Sequence, residues 1–156
     1  MRTDAEILAR CKEVEDRDWL GTERGDLLSY LTFEAAKPLL NDEATADEWG
    51  EVRPRDEESV KAEILDYMPF AWDKANNGRG LSAGRSLDHM SAWLWMLGRS
   101  KAADQIQTYS DYGKGRLRAI CEEFGWDWRQ WDNGYWSMTE DDSGPKNVPE
   151  WVESLK

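Results

Sequence analysis

Histidine is almost missing from this 156-residue sequence, which holds one, His89, and cysteine is scarce, with Cys11 and Cys121 alone. No stretch approaches the run of about 18 apolar residues that a membrane-spanning helix needs. Each shortage removes a class of function. With one imidazole and two distant thiols, a zinc site would have to be built mostly of carboxylates, and none stands at a ligand spacing such as H-E-x-x-H. No G-x-S-x-G or similar nucleophile pattern accompanies His89, so no catalytic residue is assigned. No metal and no cofactor are expected. The first residues, MRTDAEILARCKEVEDRDW, have no apolar signal core and place acids early, so the expected location is the cytoplasm. In that reducing setting the two cysteines read as small buried hydrophobes, not as a disulfide. No period of roughly 20–50 residues recurs, which excludes a solenoid.

What is present is acid and tryptophan. Thirty-two acids against 20 bases give a net charge of −12, and ten tryptophans contribute to a 40% apolar content. The length suits one domain with a real core. The charge is uneven. Residues 1–75 carry 20 acids against 10 bases, and residues 121–156 carry nine against three, whereas residues 76–120 carry three against seven. So acidic a chain repels nucleic acid as a whole, and no direct nucleic-acid contact is expected. Its natural partners are basic protein surfaces, including those that otherwise bind nucleic acid. The plain reading of the same charge is solubility.

The apolar spacing is helical almost throughout, and the expected fold is mainly α: a single helical domain over residues 1–136, then an acidic arm over 137–156 with a short terminal helix near Trp151. Thr3-Asp4-Ala5-Glu6 is a capping box ahead of a helix over about Asp4–Asp16. Gly25-Asp26 starts a short helix carrying Leu27, Leu28 and Leu31, with strand as the competing reading. Thr32 caps FEAAKPLL, weakened by Pro38. A second capping box, Thr45-Ala46-Asp47-Glu48, places Trp49 on another short helix. Pro54 and Asp56 open a longer helix whose Val60, Ile64, Tyr67 and Ala71 share a face, with a kink or break at Pro69. Asn76-Asn77-Gly78 stops it. The central helix is expected over Ser86–Leu97, with an earlier start at Ser82 as the alternative, ending at Gly98. Trp93 and Trp95 lie about 200° apart on it, so it must be covered on most sides. Ser100 caps a short segment closing at Tyr109–Gly113. Leu117, Ile120, Cys121 and Phe124 mark a last helix stopped by Gly125, before the Trp-rich WDWRQWDNGYW.

Two places draw functional attention. The Gly-rich stretch 78–86 matches G-x-G-x-x-A by letter, but helix precedes it where a dinucleotide-binding turn needs a strand. A weaker version stands: glycine-freed amides, a helix start and Arg79, Arg85, Ser86 and His89 would suit an anion. The plain alternative is a tight helix connection whose arginines neutralise nearby acid. Gly113-Lys114-Gly115 lacks the Ser/Thr and the strand of a phosphate loop. The second place is the C-terminal tryptophan cluster, which reads either as packing over the end of the central helix or as interface anchors. Asp127, Trp128, Trp131 and Asp132, together with the acids Glu57, Glu58 and Glu63, form the candidate partner-binding set. Arg116 and Arg118 are the residues that would touch nucleic acid if any did.

The strings YMPFAWDKANNGRGLSAGRSLDHMSAWLWMLG and YGKGRLRAICEEFGWDW resemble a family of small uncharacterised bacteriophage and prophage proteins, over roughly residues 60–136. The resemblance implies a setting, a phage-related bacterial cytoplasm, and brings no activity, cofactor or catalytic residue with it. The resulting expectation is a non-enzymatic phage accessory protein that binds a host protein through acidic surface, such as an anti-CRISPR-like or other DNA-mimic inhibitor of a nucleic-acid-binding defence component. The alternative is a small anion- or nucleotide-binding domain or enzyme using the 78–89 loop. Oligomeric state is left open.

Overall fold

The helix that opens the chain, α1 (Asp4–Val14), is set by its first turn. Thr3 Oγ1 accepts from the Glu6 amide at 3.2 Å, and Glu6 Oε1 accepts from the Thr3 amide at 3.1 Å. That backbone bond from Thr3 is the main reason the Glu6 carboxyl is held below its ordinary range. Ile7, Cys11 and Val14 follow at helical spacing and are buried. The computed structural model describes residues 1–15, 21–76, 80–99 and 114–133, with backbone alone for 80–87.

The next helix, α2 (Thr22–Leu28), starts three residues earlier than Gly25 and excludes Leu31. Gly21, at φ 71°, supplies the left-handed turn into it, a backbone state that glycine adopts without steric cost. Helix thereby replaces the strand alternative. Leu27 and Leu31 are both buried, Leu31 from the turn beyond. Thr32 caps α3 (Phe33–Ala36) by accepting from the Ala35 amide at 3.1 Å. The helix expected to run through FEAAKPLL is cut short. A 3-10 turn, Lys37–Leu39, takes over because it places Pro38 in its first turn, where no amide donor is needed.

The second capping box does not form. Thr45 makes no side-chain cap bond, and only a 3-10 turn, Ala46–Glu48, follows it. Trp49 lies just beyond that turn, where its indole N–H donates to the Leu31 carbonyl at 2.9 Å. The tertiary bond and an edge contact with Phe33 fix Trp49 outside the helix.

Asp56 caps α4 (Glu57–Asn76) by accepting from the Ser59 amide at 2.9 Å and the Ser59 hydroxyl at 2.8 Å. The helix runs on through Pro69, so of the kink or break expected there the break does not occur. Proline costs one backbone bond here, to the Leu65 carbonyl, but it sits on the exposed side. Ile64, Met68, Ala71 and Trp72 are fully buried and hold the helix on either side of the gap. The stop at Asn76 is where the Asn-Asn-Gly tripeptide places it.

The central helix, α5, spans Gly80–Met96, so the start expected at Ser86 is corrected by six residues. Gly80 and Gly84 belong to the helix, and only residues 77–79 separate it from α4. Trp93 and Trp95 are 3% and 6% exposed despite pointing to opposite sides, because α5 is covered by α4 and by α2. Tyr67 meets Trp93 edge-on at 5.5 Å, and the Arg2 guanidinium lies over the Trp95 ring at 4.4 Å. Gly98, at φ 82°, ends α5: its amide bonds to the Trp95 carbonyl and that of Arg99 to Leu94, both at 2.9 Å.

The last described helix, α6 (Lys114–Phe124), buries Leu117, Ile120 and Cys121. Gly125, at φ 75°, closes it with the same paired bonds, from its own amide to Glu122 and from Trp126 to Cys121. A 3-10 turn, Trp128–Gln130, then brings the tryptophans back onto the core. Asn76 clasps this turn to the end of α4, donating to the Trp131 carbonyl at 2.7 Å and accepting from the Asn133 amide at 3.2 Å.

Among the described residues there are six α-helices and no strand, and the chain is mainly α with one continuous core. Cys11 and Cys121 are free and buried in it. No helix among the described residues is long and apolar enough to cross a membrane. The segment expected from Ser100, the turn at Tyr109–Gly113, Trp136 and the 137–156 arm all lie outside the described residues.

Candidate functional site

Between Asp42 and Glu58 the chain carries eight acids: Asp42, Glu43, Asp47, Glu48, Glu51, Asp56, Glu57 and Glu58. All eight are exposed. The same segment has two bases, Arg53 and Arg55, and both turn inward. Arg55 donates to the Arg2 carbonyl at 3.2 Å and the Tyr30 carbonyl at 2.9 Å, and it pairs with Asp4. Arg53 lies between Asp26, at 4.0 Å, and Glu63, at 3.7 Å, while its backbone amide holds the Ser29 carbonyl. The inward arginines anchor the segment to the helices, and the outward carboxylates are left to face solvent. The hydrogen bond and charge of Lys61 lower the Glu57 carboxyl, and the Ser59 amide lowers that of Asp56, so both stay ionised well into the acid range.

Of the partner-binding candidates, Glu57 and Glu58 lie in this outward group at the start of α4. Glu63 is different: it is half-buried and engaged with Arg53. Sequence reasoning missed the two arginines. The signal was available, since Arg-Pro-Arg at 53–55 is the only basic feature in an otherwise acidic stretch.

Among the anion-site candidates, Arg79 lies outside the described residues, and Arg85 and Ser86 are placed only as backbone within α5. They precede His89 by four and three residues, which puts all three on one side of the helix. His89 itself is held from α2. Its Nδ1 bonds to Asp26 Oδ2, and because a carboxylate accepts, Nδ1 is the donor. Its ring is flanked by Tyr67, at 4.8 Å, and Trp93, at 6.0 Å, and is one-third exposed. Asp26 and, past Arg53, Glu63 make the surroundings of His89 rich in carboxylate. Burial beside the same group pushes the Tyr30 hydroxyl up to about 12.

The C-terminal candidates separate in the same way. Asp132 is drawn inside, where Lys114 Nζ meets it at 2.6 Å and Arg118 at 3.7 Å. Trp128 stacks on Trp72 at 6.5 Å and is covered by the guanidinium of Arg118 at 4.0 Å. Trp131 is half-buried against the core. Asp127 faces solvent while its carboxylate caps the 3-10 turn. Arg118 is thus turned onto Trp128 and Asp132, and Arg116 is 6% exposed.

An open groove of about 380 Å³ lies where the ends of α1, α4 and α5 meet, lined by Arg2, Glu6, Glu57 and Met96 among others. Its one arginine faces two carboxylates. No group of His, Cys, Asp and Glu that could hold a metal occurs among the described residues. No protein-family model, curated protein or solved structure matches this chain. The chemistry of the surface therefore has to carry the functional reading.

Proposed function

We propose that this chain is a non-enzymatic accessory protein of phage origin that binds a basic surface on a host protein. The partner's surface is of the kind that otherwise meets nucleic acid, so the acidic segment acts as a mimic of DNA charge. What supports this reading is the arrangement of residues 42–58: eight exposed carboxylates, with the segment's own two arginines engaged by Asp26, Glu63 and Asp4. Were the charge there only for solubility, interspersed bases on the outside would serve as well. Charge complementarity of this sort speeds encounter and selects partners, at a strength that falls with salt. The phage setting and the cytoplasmic location rest on the resemblance of residues 60–136 to phage and prophage proteins.

The test is competition on nucleic acid. The full chain is titrated into complexes of DNA with nucleic-acid-binding proteins purified from a bacterial host. Release of DNA by the wild type, and its loss in a Glu48→Lys/Glu57→Lys/Glu58→Lys variant of unchanged thermal stability, supports the reading. Equal behaviour of the two proteins at low and moderate salt would sink it.

A further inference from the structure

The outward side of α4 is unlike the rest of the acidic surface. Drawn at about 100° per residue, Glu58, Ala62, Leu65, Asp66, Pro69 and Phe70 fall within an arc of about 140°, opposite Val60, Ile64, Met68, Ala71 and Ala75. All six are exposed, and two of them are large hydrophobics, Leu65 at 38% and Phe70 at 49%. Pro69 adds a ring and subtracts a donor. With no N–H at position 69, the Leu65 carbonyl lacks its usual helical donor four residues on. The Phe70 ring already takes a cation on one part of its surface, with Lys74 Nζ at 4.9 Å from its centroid. Apolar side chains, a cation-accepting ring and the carboxylates of Glu58 and Asp66 thus share one side of the helix. The first residue on that side, Glu58, is also the last acid of the exposed 42–58 segment.

We infer that this side of α4 is a docking face for a cationic, amphipathic segment of a partner protein, whose aliphatic or aromatic side chains pack over Pro69 against Leu65 on one edge and Phe70 on the other while its Lys or Arg residues meet Glu58 and Asp66. The inference rests on the proposed binding of a basic partner and names the surface that gives it an apolar anchor. Charge selects this occupant over two others. A second copy carries the same net charge of −12. The chain's own 137–156 segment carries five acids against two lysines, and it would bring acid to an acidic stripe. A pure polyanion mimic needs no exposed Leu65 or Phe70, since only the apolar part of a contact survives high salt.

Two synthetic peptides of equal charge test it, one of Lys and Arg with a Leu or Trp at each helical turn, the other with those apolar residues replaced by Ser. Titrated against the full chain, the amphipathic peptide should bind about tenfold more tightly than its twin, the worth of one well-packed anchor. Phe70→Ser and Leu65→Ser, both at exposed positions and checked by thermal melting, should erase that advantage while leaving the weaker, salt-sensitive binding of the Ser peptide. Equal binding of the two peptides, unaffected by Phe70→Ser, overturns the docking face and leaves the acidic reading standing. Failure of both peptides to bind overturns both. A dimer in light scattering that Phe70→Ser dissolves also overturns the proposal, by assigning the stripe to self-association.

Discussion

Lys114 Nζ and Asp132 Oδ1 lie 2.6 Å apart, with the lysine side chain fully buried and the aspartate 7% exposed. The pair ties the first turn of α6 to the Trp-rich turn that follows it, and Asn133 accepts a second bond from the same ammonium at 3.1 Å. Removing one member of a buried pair strands the other's charge. Asp132→Ala is therefore expected to cost about 3–5 kcal/mol, measured by urea unfolding. Asp127→Ala, five residues earlier and 64% exposed, removes only a turn cap and should cost about 1 kcal/mol or less. Similar costs at the two positions would contradict the assignment of Asp132 to the interior.

The thiols give a pH-dependent readout of the core. Burial pushes Cys11 up to about 11 and Cys121 up to about 12, from an ordinary value of 9.0. In the folded chain both stay protonated while the unfolded chain ionises, so their contribution is full below pH 9.0 and is lost as pH rises toward 11 and 12. Tyr30, raised from 10.0 to about 12 mainly by burial, adds loss in the same direction. The melting temperature should fall as pH is raised from about 8 to about 10.5, with a shallower slope in Cys121→Ala. At about pH 8 a thiol reagent such as Ellman's should leave the native chain unmodified and titrate both cysteines only in denaturant. Rapid reaction of the folded protein would refute the buried placement.

The caps at Thr3, Thr32 and Asp56, the glycine stops and the core faces of the long helices were legible in the sequence because their cause is local. Thr3 and Glu6 are three residues apart, and Gly98 and Gly125 follow the last periodic residues of α5 and α6. Reading failed where a tertiary contact outweighed local chemistry. Trp49 left its expected helix for the Leu31 carbonyl, and the break offered as one alternative at Pro69 does not occur because its neighbours are held by the core. The candidate site was less legible still. His89 and Asp26 are 63 residues apart, and counting charge by segment cannot tell that Arg53 and Arg55 turn inward while eight nearby acids do not.

The glycine stops make a matched set. Gly98 and Gly125 have φ of 82° and 75°, and a Cβ at either would meet nothing within 4 Å. Alanine there is opposed by the backbone alone, at about 1–2 kcal/mol each. Gly25, inside α2 with ordinary φ and equally open space, is the reverse case: Gly25→Ala should stabilise by about 0.5–1 kcal/mol. Denaturation of the three single variants checks the sign, and a stabilising Gly98→Ala would show that α5 does not end as described.

The Asp26–His89 bond sets an expectation for the 78–89 stretch. With a carboxylate on Nδ1 and Glu63 beyond Arg53, inorganic phosphate or a nucleotide should leave the melting temperature of the wild type unchanged to within about 1 °C at millimolar ligand. A rise that disappears in Arg85→Ala would reinstate an anion site there.

The three acids Glu57, Glu58 and Glu63 should not behave as a set. Glu57 is 69% exposed, and its one described ion pair is with Lys61 in the next turn, a contact of small worth on an open helix face. Glu58 is exposed as well. Reversing both to lysine should change stability by no more than about 0.5–1 kcal/mol while weakening the capture of a basic peptide and flattening its salt dependence. Glu63 is 37% exposed and faces Arg53, which also neighbours Asp26. A lysine there brings two cations together at a half-buried position and loosens the anchor of the 42–58 segment, so Glu63→Lys should lower stability by about 1–3 kcal/mol. Thermal melts and peptide titrations on the three single variants separate the two effects. If Glu63→Lys proved as stable as Glu58→Lys, Arg53 would not be the inward clasp that leaves the acidic segment uncompensated, and the proposed charge mimicry would lose its structural basis.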